Sequence, residues 1–166
     1  MTTLIEGEDR YFVRRMREGD LPAVRAIEVA SFSNPWSDNT FRGEIQNTSI
    51  SSPMVVVRRS GEPTVADNPV VADGQVVAYI VYWQIRDDVQ INNVAVRPDH
   101  RGLGLGEAMM RYAIAKVRAA GAGFVTLEVR QSNTAAVTLY KKLGFEILGT
   151  RQPDADAHVM GLVLDQ

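Results

Sequence analysis

Residues 101–106 read RGLGLG, so glycine falls at every second position: Gly102, Gly104 and Gly106. Glycine admits positive φ and lets another molecule approach bare backbone closely. Between a strand ending at Val96 and a helix starting near Gly106, such a turn aims main-chain N–H groups and the positive end of a helix dipole at one spot. That spot suits a phosphate or pyrophosphate. The same glycines would equally serve a tight strand-to-helix turn that binds nothing, and the turn alone does not choose. It does argue against two nucleotide-binding patterns. A dinucleotide fold wants G-x-G-x-x-G in an early βαβ unit, whereas the spacing here is G-x-G-x-G after hairpin-linked strands. A phosphate loop needs Gly-Lys-Ser or Gly-Lys-Thr, and neither occurs.

Two further side chains are of types that can exchange protons. In FVTLEV (124–129) the alternation sets Val125, Leu127 and Val129 on one face and Phe124, Thr126 and Glu128 on the other. An acid in so apolar a strand needs a reason, and the plain one is a solvated face or an ion pair with Arg130. Tyr140 lies at helical spacing from Val137 and Leu143, so it reads as a core tyrosine. Met109 and Tyr112 read as helix core, His100 as an exposed turn residue and His158 as a strand residue. Asp87 and Asp88 open a strand, and Phe32 and Trp36 either wall a groove or pack between helices.

Composition narrows the rest. With 166 residues, 45% of them hydrophobic, the chain has the size and apolar content of one folded domain, 1–166, rather than a disordered segment. Eighteen lysines and arginines against 20 acids leave a net charge of −2, and the basic pairs at 14–15, 58–59 and 141–142 are scattered, so no nucleic-acid or membrane face is implied. The absence of cysteine removes thiolate metal sites, cysteine nucleophiles and disulfides, and two histidines are few for a metal cage. An acidic N-terminus and a longest apolar run of eight residues, 76–83, against the roughly 20 of a spanning helix, lead us to expect a cytoplasmic protein.

The elements that position these residues follow from periodicity. A strand over 11–16 leads to a helix with Asp20 as N-cap, Pro22 in its first turn and Val24, Ile27 and Ala30 on one face. Ser37 caps a second, short helix carrying Phe41 and Ile45. Strands over 53–59 and 75–85 form a hairpin with a long loop, and 89–96 is the next strand, stopped at Arg97-Pro98. A helix over 106–120 ends at Gly121; Asn133 caps another that ends at Gly144; strands over 124–129, 145–150 and 158–165 complete the order β α α β β β α β α β β.

R-x-x-G-x-G at Arg101, Gly104 and Gly106, after NNVAV and before an alanine-rich helix, resembles the acyl-CoA signature of the GNAT N-acetyltransferases. LEVRQSNTAAVTLYKKLGF (127–145) and FSNPWSDNTF (32–41) are similar to blocks of one subgroup, the bacterial ribosomal-protein-alanine N-acetyltransferases. The resemblance implies a mixed α/β fold with a central, mostly antiparallel, splayed sheet of six to seven strands and about four helices. It implies acetyl-CoA as cosubstrate, with no metal. Val94, Ala95 and Val96 would offer backbone groups to the pantetheine arm and acetyl carbonyl, as in strand addition. Arg101, Gly102, Leu103, Gly104, Leu105, Gly106 and Glu107 would cradle the pyrophosphate, chiefly by main-chain amides, and Asn133 would touch the CoA arm while capping its helix. Glu128 would act as general base and Tyr140 as general acid toward the leaving thiolate.

The implied reaction is direct attack of a neutral amine on the thioester. At pH 7 the neutral form costs roughly 1.4 kcal/mol for an α-amine with a pKa of about 8, and more than about 4 for lysine at about 10.4, so one carboxylate suffices for a protein N-terminus. The acceptor expected is the N-terminal alanine of a small-subunit ribosomal protein. The alternatives are a small amine or a lysine side chain, and, in another class, a non-catalytic acyl-CoA sensing module. RQPDADAH (151–158) is shorter than the subgroup's loop and lacks its paired tyrosines, while Asp154 and Asp156 offer charge to a cationic amine.

Overall fold

Runs of β-branched residues at alternating positions build one sheet of eight strands in the computed structural model, which describes residues 2–5, 8–61, 71–151 and 156–164. In chain order the strands are β1 (Thr2–Ile5), β2 (Glu8–Arg15), β3 (Ser51–Arg59), β4 (Gly74–Ile85), β5 (Asp88–Val96), β6 (Phe124–Arg130), β7 (Glu146–Thr150) and β8 (Ala157–Val163). Across the sheet they run β1-β2-β3-β4-β5-β6-β8-β7. Every neighbouring pair is antiparallel except β5 and β6.

The helices α1 (Leu21–Ser31) and α2 (Asp38–Gln46) cover one face, while α3 (Leu105–Ala119) and α4 (Thr134–Lys142) cover the other. Two apolar clusters result. One joins Leu105, Met109, Ala113, Val117 and Tyr140 to Val89, Ile91, Leu127, Val129 and Met160. The other joins Val24, Ile27 and Phe41 to Val55, Val57, Tyr79, Val81 and Ala95.

Most expected elements are present within a residue or two of their ends. Ser37 caps α2 by accepting from Thr40 N at 3.2 Å, and Asn133 caps α4 by accepting from Ala136 N at 3.3 Å. Gly121 and Gly144 close α3 and α4 with φ of +90° and +102°. Three expectations are corrected. The sheet has eight strands, not six or seven, because Thr2–Ile5 pairs with β2 and brings Leu4 into the core. Asp20 precedes α1 but makes no side-chain cap bond: its carboxylate is held by Arg14 at 2.7 and 2.8 Å and by Arg17 N at 2.8 Å. His100 is buried, not exposed, because the turn Pro98–His100 folds its ring edge-on against Tyr11.

The middle of the long hairpin loop, 62–70, and Asp154 lie outside the described residues. No described helix is long and apolar enough to cross a membrane.

Candidate functional site

The register of β5 and β6 makes an opening in the sheet. The two strands pair from Asp88↔Phe124 to Ile91↔Leu127 and no further. Beyond that point β5 stays with β4 through Val96, and β6 stays with β8 through Arg130. The sheet therefore parts into a V, with the end of β5 on one side and Glu128 to Arg130 on the other.

The backbone of β5 faces this gap at alternate residues. Arg97 N donates to Val77 O at 2.8 Å, toward β4. Two-residue alternation then turns the N–H and C=O of Val94 and Val96 toward the gap, and those of Ala95 toward β4. Ala95 is thus part of the ladder, opposite Tyr79, and presents its main chain to β4 instead of the gap. An extended amide-bearing chain laid in the V would meet Val94 and Val96 as an added strand does.

The glycine turn closes one end of the gap. Gly102 and Gly104 have φ of +79° and +84°, the left-handed region where a side chain costs free energy, and a Cβ on either would meet nothing within 4 Å. Their requirement is conformational. Gly106 is already helical, and a Cβ there would make ordinary contacts with Val96 Cγ2 at 3.7 Å and Leu139 Cδ2 at 3.9 Å. As first-turn residues of α3, Leu105, Gly106 and Glu107 have N–H groups with no intrahelical acceptor, and the first bond of the ladder runs from Ala108 N to Gly104 O. Open amides at a helix N-terminus beside an open turn fit a pyrophosphate.

The side chains around the turn are largely engaged elsewhere. Leu105 is buried and Leu103 exposed. Arg101 turns back, its Nε donating to Val96 O at 3.0 Å and its guanidinium to Ser31 Oγ at 2.9 Å. Glu107 bridges Lys142 at 2.8 Å and Arg111 at 3.0 Å, and these cations, Lys142 foremost, hold its carboxyl below the usual range. Main-chain amides, not these side chains, are what the turn offers an anion.

Glu128 is the first residue of β6 past the last pair with β5. Leu127 and Val129 point into the cluster under α3 and α4, so Glu128 points to the face that carries α1 and α2. It is 43% exposed and accepts from Arg151 Nη1 at 3.1 Å. Arg130, the partner considered in the sequence, pairs instead with Asp156 at 3.0 Å. Tyr140 belongs to the opposite face, buried beside Phe145, and burial raises its phenol to about 12. A phenol so placed keeps its proton throughout the physiological range. The carboxylate and the phenol therefore lie on opposite faces of the sheet.

Other candidates lie elsewhere. Asp87 and Asp88 are at the far end of β5, about 20 Å of strand from Val94 at roughly 3.3 Å per residue. Trp36 packs on Phe41, ring centroids 5.2 Å apart, while Phe32 is partly exposed. Met109 is core, Tyr112 packs against it, and His158 sits opposite Val129 with Nδ1 buried and unpartnered.

The sequence reading missed one group. Glu28 is 1% exposed and accepts from Tyr79 Oη, Asn93 Nδ2 and Trp36 N. The signal was present: Glu28 falls four residues after Val24, on the apolar stripe of α1, where an acid needs internal donors.

Comparison with known proteins agrees with this geometry. A [ribosomal protein bS18]-alanine N-acetyltransferase of Salmonella typhimurium (strain LT2) is 30% identical over 148 residues, covering 87% of this chain and 89% of its own. A Bacillus subtilis (strain 168) relative, given the same bS18-alanine role provisionally, is 34% identical over 140 residues, covering 84% and 83%. The crystal structure of the ribosomal-protein-S18-alanine N-acetyltransferase from Escherichia coli superposes with a TM-score of 0.73 at 26% identity, covering 94% of this chain and 95% of that one. Residues 21–145, from the start of α1 to the end of α4's closing turn, match the model of the Acetyltransferase (GNAT) family. A V-shaped sheet, an anion-ready glycine turn at its mouth and this match over most of the chain lead to one conclusion: the chain belongs to the GNAT family of acetyl-CoA-dependent N-acetyltransferases.

Proposed function

We propose that the chain acetylates the N-terminal alanine of a small-subunit ribosomal protein in the cytoplasm. The observation that carries this reading is the parting of β5 and β6 at Ile91 and Leu127, with Glu128 on one face and Tyr140 on the other. The relatives' printed role on bS18 supports the acceptor.

In this reading Val94 and Val96 hold the pantetheine arm by main-chain bonds, with Arg101 to Glu107 on the pyrophosphate and Asn133 beside the arm. The amine arrives on the α1 and α2 face, where Glu128 takes its proton, directly or through water. Tyr140, protonated on the other face, donates to the departing sulfur. The half-exposed ion pair of Glu128 with Arg151 is of a kind worth only about 0–1 kcal/mol, so a substrate ammonium can replace the guanidinium. An α-amine asks less of a single carboxylate than lysine does, by roughly 3 kcal/mol at pH 7.

The test is release of CoA from acetyl-CoA with short peptides of varied N-terminal residue, beside free polyamines and an N-blocked lysine peptide, with product mass locating the acetyl group. Acetylation on the α-amine of Ala-initiated peptides is expected. Turnover only with polyamines or lysine would overturn the acceptor, and CoA binding without turnover would favour a sensing module.

A further inference from the structure

Glu28 is a carboxylate taken almost wholly out of water, and its partners are neutral donors. Oε1 accepts from the Tyr79 hydroxyl and from Asn93 Nδ2 at 2.8 Å, and Oε2 accepts from Trp36 N at 2.9 Å. Burying an ion costs several kcal/mol before such bonds are counted, and an apolar residue of similar volume is often no less stable. Stability alone therefore does not call for an acid here.

The origin of the three donors is informative. Tyr79 belongs to β4, Asn93 to β5, and Trp36 to the segment 32–37 that joins α1 to α2. Asn93 directly precedes Val94, the first of the two residues whose main chain faces the V. Trp36 packs at a tilt against Phe41, which meets Tyr79 edge-on at 5.6 Å, so the same carboxylate ties both ends of an aromatic chain. This arrangement lies on the Glu128 face of the sheet, where an amine reaches the parted strands, and not on the face of the Tyr140 phenol.

We propose that Glu28 is a positioning residue for the acceptor: its three hydrogen bonds fix the 32–37 segment over β5, so that an incoming peptide terminus is held against the reacting carbonyl. The proposal rests on the acetyl-transfer reading above.

Glu28→Gln tests it with almost no change of shape. An amide has one acceptor oxygen, so its NH2 must face either Trp36 N–H, where the bond is lost, or the Asn93 and Tyr79 side, where Asn93 must turn its amide over to accept. The glycine turn at 101–106 is not involved. Expected in the full-length chain is a KM for an Ala-initiated peptide raised by about tenfold or more, with acetyl-CoA affinity by calorimetry within about twofold. A peptide KM that stays within about twofold, or an acetyl-CoA affinity that falls in step with it, would overturn the proposal.

If Glu28→Gln does not fold, Asn93→Ala removes one donor and leaves the carboxylate two. The same split at smaller size is expected, and the same two results overturn it. The unaltered chain separates the outcomes. Its failure to turn over the peptide would sink the acceptor reading and this proposal together, whereas turnover there with unsplit constants in the variants would sink this proposal alone.

Discussion

Ile91 on β5 and Leu127 on β6 are the last residues to pair across the only parallel junction among the described strands. Both side chains are buried in the cluster under α3 and α4, so the junction is firm up to that point and open directly beyond it. The next residue on β6 is Glu128. The opening and the candidate base are thus set by one register, and a one-residue slip of β6 would turn Glu128 into the core and Leu127 out of it.

Replacing Glu128 with Gln keeps the shape and removes the base. The expected result is a fall in kcat/KM of about 10²-fold or more, with acetyl-CoA affinity within about twofold. CoA release followed between about pH 6 and 9 checks the rate, and a rate equal to that of the unaltered chain would remove Glu128 from the chemistry.

Tyr140→Phe separates the phenol's chemistry from its packing, because the ring still fills its place beside Phe145. A fall in kcat of about 10²-fold is expected near neutrality. Stability carries a second signature. Burial raises the phenol to about 12 from an ordinary value of about 10, so above pH 10 the unfolded chain loses a proton that the folded chain retains. The folded state then binds more protons, and stability must fall as pH rises from about 10 to about 12, being fully present below that window. Tyr79 is raised the same way, by burial and by Glu28, so Tyr140→Phe should remove only part of the slope. Urea midpoints on either side of pH 10 measure it.

What the sequence carried locally, the structure repeats. The period of Met109, Ala113 and Val117, the caps at Ser37 and Asn133 and the glycine stops at 121 and 144 depend on neighbours a few residues away. What it did not carry was set by distant partners. Asp20 has the right type and place for a helix cap, yet Arg14 claims its carboxylate from a strand. Glu128 pairs with Arg151, 23 residues on, and not with Arg130 two residues away. β1 has four residues and one buried side chain, Leu4, too short a pattern to read. The end of β5 and β6 pairing is a register, and no local spacing encodes it.

The glycines of the turn should divide by conformation. Gly104→Ala places a side chain at φ +84° with no clash, so its cost is backbone strain, about 1–2 kcal/mol, with weaker acetyl-CoA binding as the turn shifts. Gly106→Ala meets ordinary contacts in a helix, keeps its N–H, and should raise stability by about 0.5–1 kcal/mol with little change in acetyl-CoA affinity. Thermal midpoints with and without acetyl-CoA test both. Equal loss of binding in the two variants would mean that close approach, not φ, is what the turn requires.

Arg14 offers the sharpest stability test away from the site. Its guanidinium, 11% exposed, bonds both oxygens of Asp20, which is 2% exposed, and both of Asp73, tying β2 to the start of α1 and to the foot of the β3–β4 loop. Asp20→Ala removes the more deeply buried partner and should cost about 3–5 kcal/mol. Asp73→Asn should cost less, about 1–2 kcal/mol, since its partner keeps Asp20. The hydrogen bond from Arg14 holds the Asp73 carboxyl below its ordinary value, so the unfolded chain binds the proton first as pH falls. Stability from this contact is therefore present above pH about 4 and is lost as pH drops through the folded value. Urea midpoints between about pH 2 and 6 should show a shallower acid limb in Asp73→Asn, and an unchanged limb would mean that the Arg14 and Asp73 contact does not contribute to folding in solution.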